Sequence, residues 1–473
     1  MKIILSLIIL LLISKIKNEI LHIPFKTHEY NPSSNNNLNA LSEIDSIILS
    51  LIHNDIYISF TLGDPPQQIN SFLKLEEFPF FISGKDIKNN QYDETKSSSY
   101  KSEKYPHAFL EGLERIKWGL VSNDTLILNI KDNNNKKMNE FNFILVTESR
   151  TDSSSNIGLM IPNEYSSIPD ISFIYQLKKQ KIIEDYSFLI NYTDPERGEG
   201  EFIIGNPPHK FNKKYSEKFY KTSYAINKPN FMMYGLNFDS IISGKDNIGG
   251  TMQCKFLSDF GMIVGSIKYY DYIYKNFFEK KILEKICFKG NITANIEWRE
   301  GEKSYVFFYC NKNKKNILEN IESIKFINKE MNYSFEFNYN ELFFEKKDFL
   351  ILKIIFNLKS NFYWIFGKPW FTKYQMIFDQ DKKTIGHYCY IKDNNDDENN
   401  DNDNINKINW ILLGIIGVLV LVIIFFGIWM VNYYKNSRKK RINEIKDEFD
   451  YTHENENNDN KKSLINESLG IND

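Results

Sequence analysis

Two stretches decide how this chain is read. The first is Tyr57-Ile-Ser-Phe-Thr-Leu-Gly-Asp-Pro-Pro-Gln67, continued by Ser71-Phe-Leu-Lys-Leu-Glu-Glu-Phe-Pro-Phe-Phe-Ile-Ser-Gly84. The second is Met252-Gln-Cys-Lys-Phe-Leu-Ser-Asp-Phe-Gly-Met-Ile-Val-Gly-Ser266. In both, β-branched and aromatic residues run up to Gly, Asp or Pro, which is how strands interrupted by turns are written. Further runs of the same kind are Ile56 to Phe60, Leu126 to Ile130, Phe143 to Val146 and Phe202 to Ile204. Helical stretches are few, Ser172 to Lys181 and Tyr269 to Lys280 being the better ones. Many short strands with few helices predict a mainly β architecture.

Lys+Arg 59 against Asp+Glu 61 leaves a formal net charge of −2. That balance excludes a strongly basic nucleic-acid binder and a uniformly acidic solvating chain. The 42% hydrophobic and 15% aromatic content is ample for a large core.

Two apolar segments bracket the β-rich part. Met1-Lys2 precedes an apolar run from Ile3 to Ile13, followed by Lys15 and Lys17; this predicts a signal peptide over residues 1–18, too short to span a bilayer. Residues 19–52 are then expected to form a leader, loose and Asn/Ser-rich between 29 and 45. The second apolar run, Trp410 to Val431, carries no charge and has Tyr433 and Tyr434 just beyond it. About 20 such residues cross the hydrocarbon core, so 410–431 is predicted to be one C-terminal transmembrane helix. Lys435, Arg438, Lys439, Lys440 and Arg441 follow, which places the tail 432–473 in the cytosol by the positive-inside rule. Residues 393–409, dense in Asn and Asp, read as a stalk. The bulk of the chain is therefore expected to be extracellular or lumenal, in a single-pass membrane protein.

All four cysteines, Cys254, Cys287, Cys310 and Cys389, lie between the two apolar segments. An even number in an oxidising compartment predicts two disulfides, with three connectivities open. Sequons at Asn123, Asn191, Asn291 and Asn332 are candidate glycosylation sites. No CxxC and no HxxxH is present, so neither a metal nor a cofactor is expected.

The two opening stretches resemble the catalytic strands of pepsin-like aspartic peptidases. The first is similar to the family's Y-x-x-I-x-I-G-T-P-P-Q hairpin and its D-T-G-S-S-N-L-W-V-P-S strand; the second is similar to A-I-x-D-T/S-G-T-S-L-x-x-G-P. Lys96-Ser-Ser-Ser-Tyr100, Gly119 to Thr125, Asn156-Ile-Gly-Leu159, Gly200 to Gly205, Trp364-Ile-Phe-Gly-Lys-Pro-Trp-Phe371 and Tyr374 to Asp379 resemble further family motifs in the family's order. The resemblance spans about residues 53–391. It implies a bilobal pepsin-like fold, with an N-lobe over 53–205 and a C-lobe over 206–392.

That chemistry needs two facing carboxylates sharing one proton, one drawing a proton from water and the other donating to the scissile carbonyl. Here the first triplet reads Lys74-Leu75-Glu76 and the gapless second triplet reads Leu257-Ser258-Asp259. Lys74 and Leu257 occupy the family's aspartate positions, and Gly112 its flap tyrosine position. A protonated lysine has no acceptor lone pair, so the chain is expected to be an inactive pseudoprotease whose inter-lobe cleft holds a peptide or protein ligand. The alternative is an active endopeptidase using displaced carboxylates, Glu76 and Asp259. The plain reading of Glu76 and Glu77 is a solvated turn, or partners for Lys74 in the old cleft, and that of Asp259 is a surface turn. No nucleic-acid partner is expected.

Overall fold

A computed structural model describes residues 20–29, most of 42–389, and 426–443. The chain divides into two units, Met1–Tyr390 and Ile391–Asp473.

Alternation of buried and half-exposed residues along Asn54–Leu62 shows how the first sheet is made: Ile56, Ile58, Phe60 and Leu62 all point into the core. This strand pairs with Gln67–Lys74 through a turn at Gly63, whose φ of 91° suits glycine. Its other edge pairs with Leu21–Glu29, which pairs in turn with Glu199–Ile204. The chain's late strands Ile377–Asp379 and Thr384–Tyr388 return to the same sheet, with Phe378 opposite Phe188. Among the described residues that sheet has 14 strands and a second has 9, so the mainly β expectation holds.

The leader expectation is corrected in two places. Leu21–Glu29 is an integral strand, because Leu21, Ile23 and Phe25 alternate into the core. Glu43–Ile52 is a helix: Ser42 caps it by accepting from the Asp45 amide, and Ile48, Leu49 and Ile52 form its buried stripe. That stripe packs on Leu257, Phe260 and Met262. The signal was legible in Ser42, the acidic first turn and the apolar spacing behind it.

The helices expected at Ser172 to Lys181 and Tyr269 to Lys280 are present. The first is Phe173–Lys179, capped by Ser172. The second is built from Ile267–Ile273, Tyr274–Phe278 and Glu279–Leu283.

A repeated arrangement links the two halves. Gln67–Lys74 runs parallel to Asn156–Gly158, which is antiparallel to Phe80–Ser83. Likewise Met252–Phe256 runs parallel to Tyr363–Phe366, which is antiparallel to Ile263–Gly265. In each half, one of the two triplets sits where the first outer strand passes into the loop that leads to the second.

The expectation of two disulfides is also corrected. Cys287 and Cys310 face each other across paired strands and are bonded, whereas Cys254 and Cys389 are free. Cys254 is buried in the second large sheet and its sulfur accepts from the Leu236 amide, while Cys389 follows the last strand of the first sheet.

Residues 426–443 are helical. No helix among the described residues is long and apolar enough to cross a membrane. The signal segment, the stalk and residues 410–425 of the apolar run lie outside the described residues.

Candidate active-site region

The repeat brings the two triplets face to face. Lys74 ends its strand opposite Gly158. Phe256 ends its strand opposite Phe366, so the next residue, Leu257, falls beside Gly367 as Lys74 falls beside Gly158. The register therefore makes Leu257, not Asp259, the counterpart of Lys74.

Ser258 ties the loops together. Its hydroxyl donates to the Leu73 carbonyl at 2.7 Å and accepts from the Leu75 amide at 3.3 Å. Leu75, the matching residue of the first triplet, has no hydroxyl to return, so the tie is one-sided.

Lys74 replaces what is missing. It is 2% exposed, and its Nζ donates to Asp259 Oδ2 at 2.6 Å and to Asp55 Oδ1 at 2.9 Å. Burial opposes its charge, but Asp259, Asp55 and Glu77 outweigh that cost and hold the ammonium above the ordinary lysine range. Asp55 was absent from the candidates read in the sequence. It lies 19 residues from Lys74, and no local pattern marks it as a partner.

Backbone bonds hold Asp259 in place. Its carbonyl accepts from the Asn54 amide at 3.0 Å, and the Gly261 amide donates to the Ile52 carbonyl at 2.8 Å. His53 pairs with Phe260 beside them, and burial keeps its imidazole below the ordinary range.

Glu76 is half-buried, with Oε1 sealed from solvent and unpartnered among the described residues. Burial first, then the charge of Asp259, raises its carboxyl to about 8. Glu77 differs: its Oε2 accepts from Asn156 Nδ2 at 3.1 Å. A plain solvated turn fits neither residue, and of the two it is the charge of Glu77 that supports the Lys74 ammonium. Asp259 is likewise no surface turn, since only 10% of its side chain is exposed.

Gly112 lies outside the described residues. The strand His107–Glu111 pairs with Arg115–Leu128. Of the sequon asparagines, Asn291 and Asn332 are exposed and Asn123 and Asn191 are half-buried. Asn191 Oδ1 also accepts from Gln375.

A family model for eukaryotic aspartyl proteases matches residues 82–388. This chain belongs to that family. The match begins at Ile82, after Lys74-Leu75-Glu76, and includes Leu257-Ser258-Asp259. Among solved structures, the aspartic proteinase from Irpex lacteus is similar at a TM-score of 0.53, covering 78% of this chain and 97% of that one. At 12% identity, that likeness speaks for the fold alone. No curated protein sequence matches the chain.

Proposed function

We propose that this member of the aspartyl protease family is a catalytically silent, membrane-anchored binding protein, whose inter-lobe cleft holds an extended peptide or protein segment without cutting it. The observation that carries the reading is the Lys74 ammonium, 2.6 Å from Asp259. Hydrolysis in this fold needs an ionised carboxylate to take a proton from water and a neutral one to give a proton to the carbonyl oxygen. An ammonium held above its ordinary range gives up no proton at working pH and accepts none. Leu257, at the counterpart position, carries no titratable group. A cleft of this kind binds through strand pairing and side-chain pockets, neither of which needs the dyad.

One observation favours the alternative, an endopeptidase with a displaced Glu76–Asp259 pair. Glu76 is neutral below about pH 8, and it lies close enough to Asp259 for that charge to raise it. An acid and a base with separated pKa values are what the chemistry asks for. Against it, the Asp259 carboxylate is engaged by Lys74, which quenches its basicity.

The test is cleavage of a mixed peptide library by the purified full chain from acid to neutral pH. Silence is expected, also in Lys74→Asp, because Leu257 supplies no second carboxylate. Inhibitor-sensitive cleavage lost in Glu76→Gln and in Asp259→Asn would establish the displaced pair instead.

The membrane reading rests on the apolar run 410–431 and the basic cluster after it. Protease treatment of intact cells should spare a tag placed after Asp473 while removing ectodomain epitopes. A tag digested from outside would reverse the orientation.

A further inference from the structure

Between the paired strands Ser240–Ser243 and Asp246–Gly249 and the helix Ile267–Ile273 lies a cavity of about 380 Å³. Its volume is within the usual range for small-molecule sites, roughly 300–1,000 Å³. None of its lining residues takes part in the Lys74 contacts, and nothing said above about peptide binding or catalysis uses it.

The floor is apolar and aromatic. Ile273, Phe277 and Ile321 are buried in it. Tyr269 also lines the cavity; it is 1% exposed, and its ring packs on Trp364 and Phe356. Its hydroxyl has no hydrogen-bond partner among the described residues. A buried hydroxyl left unpaired is costly, and beside a cavity an occupant can satisfy it.

The rim is acidic. The Tyr272 ring stacks on Tyr269, and its hydroxyl donates to Glu322 Oε2 at 2.7 Å, with the Ser243 carbonyl 3.2 Å away. Burial first, then that bond, raises the Tyr272 phenol to about 12, and the charges of Glu322 and Asp246 add to the shift. Two carboxylates therefore converge on one phenol oxygen. Gly244 makes room for the first: at its φ of 58°, a Cβ would stand 1.8 Å from Glu322 Oε2. Neither Glu322 nor Asp246 forms an ion pair among the described residues, Lys245 of the same lining included. The lining thus sets two negative charges against one positive. A positioned carboxylate beside an unpaired hydroxyl, over an apolar floor, is a site that an organic cation completes.

We propose that this cavity binds a small organic amine in its ammonium form, the ammonium donating to Glu322 and to the Tyr269 hydroxyl and the apolar body resting on Ile273 and Ile321. Lys281 already places its own ammonium 4.7 Å from the centre of the Phe277 ring, so the cationic end belongs at Glu322 rather than over that ring.

The test is calorimetric titration of the purified full chain with benzylamine at pH 7 and fixed ionic strength, with benzyl alcohol as the neutral control and benzoate as the anionic one. Benzylamine should bind saturably and the two controls should not. Glu322→Gln should weaken binding about tenfold, the expected loss for one charge-assisted contact. Asp246→Asn should weaken it roughly twofold to fivefold, as an exposed charge does. Lys245→Met, which removes the opposing charge, should leave binding equal or tighter. The unmodified chain decides first: no saturable binding of benzylamine overturns the proposal, whatever the variants do. Equal binding of benzyl alcohol, undiminished binding in Glu322→Gln, or a loss in Lys245→Met as large as that in Glu322→Gln overturns it as well.

Discussion

Replacing Lys74 with Met removes one positive charge from between two carboxylates while keeping the side chain's length. The two arms are unequal. The Asp259 side chain is 10% exposed and that of Asp55 is 33% exposed. Stranding a buried charge costs roughly 3–5 kcal/mol, and a pair as open to water as the Asp55 arm adds at most about 1 kcal/mol. We therefore expect Lys74→Met to lose about 3–5 kcal/mol at pH 7, mostly through Asp259. Asp259→Leu in the same chain should recover much of that loss, giving a coupling of about 2–3 kcal/mol in the double-mutant cycle. The lysine's folded pKa lies above its ordinary 10.5. Its contribution is thus fully present below pH 10.5 and is lost only as pH rises through the folded value, so neutral pH measures all of it. Added salt should change the loss little, because a buried pair is weakly screened. Urea unfolding followed by far-UV circular dichroism reads all four chains of the cycle. A Lys74→Met chain within about 1 kcal/mol of the parent, or additive single losses, would refute the view that this ion pair ties the two lobes together.

Glu76 gives a prediction of pH dependence. Its folded pKa of about 8 exceeds the ordinary 4.5, so its contribution is full below pH 4.5 and is lost as pH rises toward 8. Glu76→Gln should therefore flatten the decline of stability over that window and be the more stable chain at pH 8; an unchanged slope would show Glu76 ionised in the fold. Gly261→Ala would place a Cβ 1.9 Å from the Leu51 carbonyl oxygen, whereas one at Gly250 meets nothing within 4 Å. The first should cost roughly 1–3 kcal/mol or more and the second should leave the melting temperature unchanged; equal effects would mean that helix Glu43–Ile52 does not press on the loop. Cys287→Ser with Cys310→Ser opens a bridge between residues 23 apart in sequence, which should cost about 3 kcal/mol. A parent chain insensitive to reductant in thermal unfolding would contradict that. Expressed in a glycosylating host, the chain should lose its enzymatically removable glycan in Asn291→Gln with Asn332→Gln, and a remaining mass shift would place sugar on Asn123 or Asn191 instead.

What the sequence determined by itself was whatever is written locally. The alternation in Ile56, Ile58 and Phe60 marks a buried strand face without reference to any partner. Ser172 followed by an apolar stripe marks a helix start in the same way. The ordered motifs were also enough to expect a pepsin-like fold, and they showed Lys74 and Leu257 standing where the family has aspartates. Tertiary structure decided everything that depends on chain ends far apart. Lys74 meets Asp259 across 185 residues and Asp55 across 19, and no period of two or 3.6 encodes such a meeting. Leu21–Glu29 reads as a leader until Glu199–Ile204 offers it an edge to pair with. Four cysteines allow several pairings on paper, but only Cys287 and Cys310 are brought opposite each other by strand register. Glu76 is an ordinary acid in the sequence. It becomes a largely neutral group at pH 7 only because folding removes its water and sets Asp259 beside it. Local pattern fixes which way a side chain points, whereas the partner, the dielectric and the charge it meets there depend on segments that only the folded chain brings together.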